Sequence, residues 1–185
     1  MALSVSKTFQ FKPYEHLLCG TKELTTPKGK TYYLTVVMEV YSRFIVSYDL
    51  SKTQSDASVI KALKIAEECI VNRAIPHVTD KSFVHFTQRG AAKNQAYIDY
   101  VERSSRFVMP VEAFKNKNVM AAFWRRFTED FVERFYRHLT SYKVLDDYIY
   151  TYCQYNNDER PHEPLFGLTP RQFLEGALMR YADSR

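Results

Sequence analysis

Residues 31–50, TYYLTVVMEVYSRFIVSYDL, limit the possible folds of this chain more than any other stretch. They contain two β-rich runs, residues 32–40 and 44–50, joined by a short polar corner at residues 41–43. The first run has almost no polar interruption, which predicts a central strand covered by helices on both faces of its sheet. The second run is rich in β-branched and aromatic residues and predicts a neighbouring strand.

Hydrophobic periodicity and turn residues divide the rest of the chain into further elements. We predict three more strands, at residues 17–24, 82–87 and 106–110. We predict five helices, at residues 56–72, 94–104, 119–139, 144–155 and 171–181. Two polar segments lie between these elements: residues 111–118 are predicted to be mobile and residues 156–164 to be rich in turns.

The order of these elements predicts an α/β fold. The turn at residues 25–30 and the corner after the second strand predict an antiparallel meander of three strands. The crossover through the first helix predicts a fourth strand that is parallel to the first. The predicted order is β-β-β-α-β-α-β-α-α-α, a five-stranded mixed sheet flanked by helices.

Length and composition predict one domain without fixing its partner. The 185 residues form a single predicted domain, residues 1–185, in which residues 1–12 are a leader. The net charge of +5 is compatible with a polyanion such as DNA, although many basic proteins bind none. Cys19, Cys69 and Cys153 lie far apart, which predicts reduced thiols in a cytoplasmic protein. No apolar stretch approaches the ~20 residues of a membrane span, so we expect no membrane contact.

Four segments share motifs with a known family. They are the hairpin at residues 31–50, VHFTQRG at 84–90, NVMAAFW at 118–124, and a tail at 155–173. The tail is the most specific segment, and its motif residues are Tyr155, Asn156, Arg160, Pro161 and His162, followed by Leu and Thr-Pro. Together the segments resemble the catalytic core of insertion-sequence transposases and retroviral-type integrases, over about residues 13–175. The resemblance implies a ribonuclease H-like fold.

The resemblance also implies a metal site for phosphoryl transfer in DNA. In that family two Mg²⁺ ions promote the reaction, and two Asp and one Glu bind them. Matched residue by residue, the first Asp falls on Gly20, the second on Gln88 and the Glu on Ala121. A register slip of one residue on the first strand gives Cys19 or Thr21 instead. None of these side chains is a carboxylate, so the resemblance implies three vacated ligand positions, and we expect no metal cofactor.

Acidic residues from elsewhere would have to replace the missing ligands if the core bound Mg²⁺. The candidates are Glu23, Glu39, Asp80, Glu129 and Asp130. Strand alternation points Glu23 to the other face from Gly20, and the family counterpart of Glu39 is acidic without being a ligand. Asp80 precedes the fourth strand, and the last two lie about two turns beyond Ala121. An active Mg²⁺-dependent integrase or transposase with relocated carboxylates is therefore one alternative.

Basic residues on and around the long helix are the candidates for nucleic-acid binding. They are Lys115, Lys117, Arg125, Arg126, Arg134 and Arg137. Their pattern indicates either a phosphate-binding surface or the solvated face of an amphipathic helix, balanced by nearby acids. Trp124 on this helix predicts a core anchor or a subunit contact. The Asn and Pro residues of the tail favour turns, so the tail can also lock the last helix against the sheet without a catalytic role.

We interpret the chain as a degenerate integrase or transposase core that is catalytically inactive. It is expected to act as a module that binds DNA or a partner, as a homodimer or as a subunit of a transposition complex. A purely structural dimerisation domain is the other alternative. Mg²⁺ is expected only if the chain is an active enzyme with relocated carboxylates.

Overall fold

A five-stranded mixed sheet forms the centre of the computed structural model, which describes residues 11–72, 82–114 and 118–183. The strands are β1 (His16–Thr25), β2 (Thr31–Glu39), β3 (Ile45–Ser51), β4 (Phe83–Phe86) and β5 (Phe107–Val108). Their order across the sheet is β3-β2-β1-β4-β5. The first three strands are antiparallel, whereas β4 is parallel to β1 and β5 is parallel to β4. The predicted sheet is therefore confirmed.

Among the described residues five α-helices flank the sheet, and each lies where periodicity predicts a helix. They are α1 (Asp56–Asn72), α2 (Gln95–Arg103), α3 (Asn118–Phe127), α4 (Tyr142–Gln154) and α5 (Pro170–Asp183). Side-chain caps fix two of the starts, since an oxygen of the residue before the helix satisfies a free backbone N–H. Asn94 accepts from the Ala96 N–H at 2.9 Å, and Ser141 accepts from the Val144 N–H at 3.3 Å.

The sheet separates two hydrophobic cores, as the apolar run of β2 predicts. On one face Leu34, Val36 and Met38 pack with residues of α3 and α4. On the other face Val37 packs with residues of α1, α2 and α5. Successive strand residues point to opposite faces, so this alternation buries β2 on both sides.

The long predicted helix at residues 119–139 is helical but is not one regular α-helix. After α3 the chain forms a π-helical turn, Thr128–Glu133, and a 3₁₀ turn, Tyr136–His138. The Thr128 hydroxyl donates to the Trp124 carbonyl at 2.8 Å and so competes for the acceptor of the regular helical bond. The wider turn leaves Phe131 buried in the core.

Three other segments contain structure that the sequence does not predict. The segment predicted to be rich in turns begins with a π-helical turn, Tyr155–Glu159, that extends α4. The segment predicted to be mobile contains a 3₁₀ turn, Val111–Ala113, and then a buried Phe114, whose ring stacks on His85 with centroids 4.0 Å apart. Residues 115–117 lie outside the described residues. The fifth strand is only two residues long.

Candidate functional site

Gly20 lies in the interior of β1, on the face of the sheet that α3 covers. A Cβ atom built on Gly20 would lie 2.7 Å from Thr87 Oγ1, 3.1 Å from Met120 Cγ and 3.3 Å from Trp124 Nε1. Carbon and oxygen atoms that are not bonded do not approach to 2.7 Å without displacement. The space beside residue 20 is therefore filled by side chains from the end of β4 and from α3.

The side chains that fill this space are poor ligands for Mg²⁺. Mg²⁺ prefers hard oxygen ligands, and proteins supply them chiefly as carboxylates. Thr87 offers a neutral hydroxyl, Met120 a soft thioether, and Trp124 an indole N–H that can only donate. The residues around Gly20 therefore do not fit the pair of Mg²⁺ ions that the resemblance implies.

Trp124 belongs to the core side of α3 rather than to an open surface. Its ring centroid lies 4.8 Å from that of Phe123 and 5.9 Å from that of Phe127. The expected core anchor is thus present, and the same indole closes the space beside Gly20.

The three atoms nearest to a Cβ on Gly20 do not belong to the other two predicted ligand positions. They belong to Thr87, Met120 and Trp124, and the first two of these residues directly precede Gln88 and Ala121. Met120 is buried and Ala121 is exposed, because successive residues of a helix point about 100° apart around its axis. Gln88 lines a polar cleft of about 350 Å³ that is rich in hydroxyl groups. The assignment of Gly20, Gln88 and Ala121 to the ligand positions of the family stays a prediction.

The acidic residues that might replace these ligands do not gather into a metal site. Glu23 and Glu129 are exposed, and Asp130 makes an ion pair with Arg160. Asp80 lies outside the described residues. Within residues 11–72, 82–114 and 118–183, no three His, Cys, Asp or Glu side chains are placed to hold a metal ion.

Glu39 is fully buried, and its carboxylate has a structural role. It accepts hydrogen bonds from the backbone N–H groups of Tyr14, Tyr41 and Ser42 at 3.2, 2.8 and 2.7 Å, and also from the Ser42 hydroxyl. Burial raises the pKa of Glu39, whereas these hydrogen bonds oppose the rise. The side chain fastens the corner between β2 and β3 to the segment before β1. It is therefore not available as a metal ligand.

The tail motif ties α4 and α5 to the sheet. Asn157 accepts from the Ile45 N–H and donates to the Ile45 carbonyl, both at 2.9 Å, so its amide pairs with β3 as a neighbouring strand would. Asp158 accepts from Arg171 Nε at 2.5 Å, which holds the first turn of α5. Arg160 pairs with Asp130 on the π-helical turn. These contacts agree with the structural role considered for the tail.

The predicted basic set divides into an exposed group and a half-buried residue. Arg125, Arg134 and Arg137 are exposed, and Arg126 is half-buried. Lys115 and Lys117 lie outside the described residues. None of the four described arginines makes an ion pair with a carboxylate of the described ranges.

One cluster was missed by the sequence reasoning. Arg43 of the β2–β3 corner and His162 of the tail line the same small cavity as Arg126. The corner and the tail are both motif segments, but nothing in the sequence shows that they meet at α3. Burial lowers the pKa of His162 to about 4, and the neighbouring arginines contribute to this.

The fold is shared with proteins of known structure. It is the ribonuclease H-like fold of the catalytic cores of retroviral integrases and mariner transposases. No protein-family model matches the sequence, and no curated protein matches it. None of the helices in the described part of the chain has the length and apolar character that a membrane span requires.

Three solved structures illustrate the similarity. The HTLV-2 integrase catalytic core, in complex with magnesium in a trimeric form, has a TM-score of 0.60 at 13% identity, covering 88% of this chain and 97% of that one. The BIV integrase core has a TM-score of 0.60 at 12% identity, covering 91% and 99%. The catalytic domain of Mos1 mariner transposase has a TM-score of 0.58 at 13% identity, covering 91% and 79%. Similarity at these identities shows the fold.

Proposed function

We propose that this chain is a non-catalytic core of the integrase and transposase type that acts by binding DNA. The observation that carries the loss of catalysis is the filled space beside Gly20. Two Mg²⁺ ions there would need carboxylates to balance their charge, whereas the structure offers a hydroxyl, a thioether and an indole. The alternative with relocated carboxylates is disfavoured because Glu39 is engaged by backbone groups and Asp130 by Arg160.

The exposed arginines of the helical run that begins with α3 support DNA binding. Arg125, Arg134 and Arg137 are exposed and make no ion pair with a carboxylate that the structure describes. The chain carries a net charge of +5, so a polyanion is attracted over its surface. Phosphate contacts of this kind release counterions from DNA, which makes the affinity fall as salt increases.

Binding to a DNA duplex tests this proposal. We expect three arginine contacts to give a dissociation constant that rises about 40-fold between roughly 50 and 200 mM salt. Changing Arg125, Arg134 and Arg137 together to Gln is expected to remove most of this salt dependence. Fluorescence anisotropy of a labelled duplex measures the dissociation constant at each salt concentration for the wild type and the triple variant.

The matched control changes three exposed cations on the opposite side of the sheet. Lys64, Lys93 and Arg103 are exposed, and the first and last of them lie on α1 and α2. Changing them to Gln removes the same charge and is expected to leave most of the DNA affinity. Equal losses for the two triple variants, or no salt-dependent binding by the wild type, would rule out the proposed surface.

Association with a second copy is the other candidate. The HTLV-2 integrase core is described in trimeric and dimeric forms. In this chain Val71 of α1 and Met179 of α5 are each 66% exposed, and the two helices cover the same face of the sheet. Exposed apolar side chains favour an interface when they form one contiguous patch, which is the arrangement that this candidate requires. Sedimentation velocity tests it: a dimer that dissociates on dilution supports the candidate, and a monomer at every concentration rejects it.

A further inference from the structure

We propose that a groove between the helical run after α3 and the end of α4 binds one unpaired nucleobase. Its volume is about 670 Å³, within the range of roughly 300–1,000 Å³ that is typical of small-molecule sites. It shares no lining residue with the polar cleft beside Gln88 or with the space beside Gly20. The identification of the base as part of a DNA strand rests on the proposed function.

Five aromatic rings form one continuous wall of the groove. The centroids of neighbouring rings lie between 5.4 and 6.4 Å apart. Tyr155 is 42% exposed at one end of the wall, and Phe135 and Tyr148 are half-buried at the other end. Phe131 and Tyr152 are buried between them. A wall of rings favours a flat π-system as its ligand, and every nucleobase offers one.

Two π-helical turns give the groove its shape. Phe131 lies in the turn after α3, and Tyr155 begins the turn that extends α4. π-Helical residues are rare in proteins, and such turns occur frequently at functional sites. The two turns are joined, because Arg160 after the second turn pairs with Asp130 of the first. The ion pair therefore holds the aromatic wall in place before a ligand arrives.

The charges on the rim favour a neutral ligand over an anion. Asp130 and Arg160 neutralise each other. Arg134, Asp147 and Glu159 make no ion pair within the described ranges, which leaves one cation and two carboxylates. The carboxylates would repel a phosphate from the groove itself. They would accept hydrogen bonds from the exocyclic amino groups that adenine, guanine and cytosine carry.

Arg134 connects the groove with the proposed DNA-binding surface. Its Cζ atom lies 5.7 Å from the centroid of the Phe135 ring, so the cation stands at the end of the aromatic wall. A nucleotide whose base stacks in the groove would keep its phosphate beside this cation. Aromatic side chains next to a basic surface are the usual means of binding single-stranded nucleic acid. The bases of a closed duplex are stacked on one another, so only an unpaired base can enter.

Tyr152 is an independent indication of a ligand. It lines the groove, its side chain is 6% exposed, and its hydroxyl has no hydrogen-bond partner among residues 11–72, 82–114 and 118–183. Burial raises the pKa of Tyr152 to about 12, and the nearby Arg160 opposes the rise without reaching hydrogen-bond geometry. Buried hydroxyl groups almost always have a partner, because an orphaned group loses its bonds to water. The edge of a base carries both donors and acceptors, and either kind would complete the hydroxyl.

Duplexes with and without an unpaired base test the groove. The probes are a fully paired duplex, the same duplex with one bulged adenine, and the bulged duplex with an abasic nucleotide in place of that adenine. We expect the bulged adenine to lower the dissociation constant about 10-fold relative to the other two probes. Fluorescence anisotropy of each labelled duplex measures the three constants. Equal constants for the adenine bulge and the abasic bulge would overturn the groove as a base-binding site.

Variants of the aromatic wall locate the effect. Tyr155→Ala is expected to remove the gain from the bulged adenine, whereas Tyr155→Phe retains the ring and the gain. Tyr150→Ala is the matched control, because Tyr150 is 57% exposed on α4 and is not among the residues that line the groove. Tyr148→Leu, at the other end of the wall, is expected to reduce the gain too, which guards against one variant that folds poorly. An undiminished gain in both Tyr155→Ala and Tyr148→Leu would contradict the inference.

A free nucleoside separates this inference from the proposed function. A fluorescent aminopurine deoxynucleoside is the probe, since stacking on an aromatic ring quenches its emission. Quenching by the wild type and not by Tyr155→Ala, with no binding of any duplex, supports the groove and removes the proposed function. Binding of the fully paired duplex, with neither quenching nor a gain from the bulged adenine, overturns the groove and leaves the proposed function standing.

Discussion

Replacing Gly20 with Asp is expected to lower the free energy of unfolding by about 4 kcal/mol and to create no metal site. The new side chain has to displace Thr87, Met120 and Trp124, which already fill the space. It also buries a carboxylate beside the Met120 thioether, and the Thr87 hydroxyl and the Trp124 N–H must shift before they can donate to it. Chemical denaturation in urea measures the loss. Addition of Mn²⁺ is expected not to restore the stability, because one carboxylate among these side chains does not make a site.

A glycine in open space provides the control for this prediction. Gly176 lies in α5, and a Cβ built on it has no neighbour within 4 Å. Gly176→Ala is expected to stabilise the chain by about 0.5–1 kcal/mol, because Ala loses less backbone entropy in a helix. Gly20→Ala is expected to cost about 1–3 kcal/mol through overpacking. Changing Thr87 to Ala in the same chain should recover part of that cost. A neutral Gly20→Ala would show that the space is not filled.

Replacing Asn157 with Asp is the second change with a large expected effect, a loss of about 3 kcal/mol. The amide of Asn157 donates to the Ile45 carbonyl at 2.9 Å, and a carboxylate would turn that donor into a second acceptor. The position is buried, so water cannot replace the lost bond. We expect the urea midpoint of unfolding to fall accordingly.

The exposed Gln154, three residues earlier, provides the matched control for Asn157. Gln154→Glu makes the same chemical change at the end of α4, and its expected effect is within about 0.5 kcal/mol. If Asn157→Asp proved as mild as Gln154→Glu, the tail would not be held through the pairing with β3. The structural role assigned to the tail motif would then be wrong.

The sheet could be predicted from the sequence because its signal is local. The apolar run of β2 indicates a strand buried on both faces, and both cores confirm it. The burial of Phe114 could not be predicted, because the neighbouring residues are polar and its partner is His85, far away in sequence. The π-helical turn at Thr128 depends on one hydroxyl bonding to the Trp124 carbonyl, which periodicity does not show.

The candidate site could be predicted only in part. The resemblance predicts that Gly20 stands where the family has an acidic residue, but the sequence does not show that Met120 and Trp124 occupy the space beside it. Met120 and Trp124 follow the ordinary spacing of core-facing residues on a helix. The sequence therefore does not show that they also fill the space beside Gly20. The meeting of Arg43 with His162 likewise depends on how the tail returns to the sheet.

A crystal of the wild-type chain soaked in Mn²⁺ tests the central claim most directly, since anomalous scattering locates each bound ion. We predict no Mn²⁺ between β1 and α3, because Gly20, Thr87, Met120 and Trp124 leave neither room nor carboxylates there. Two Mn²⁺ ions about 4 Å apart at that place, held by acidic side chains, would contradict the account.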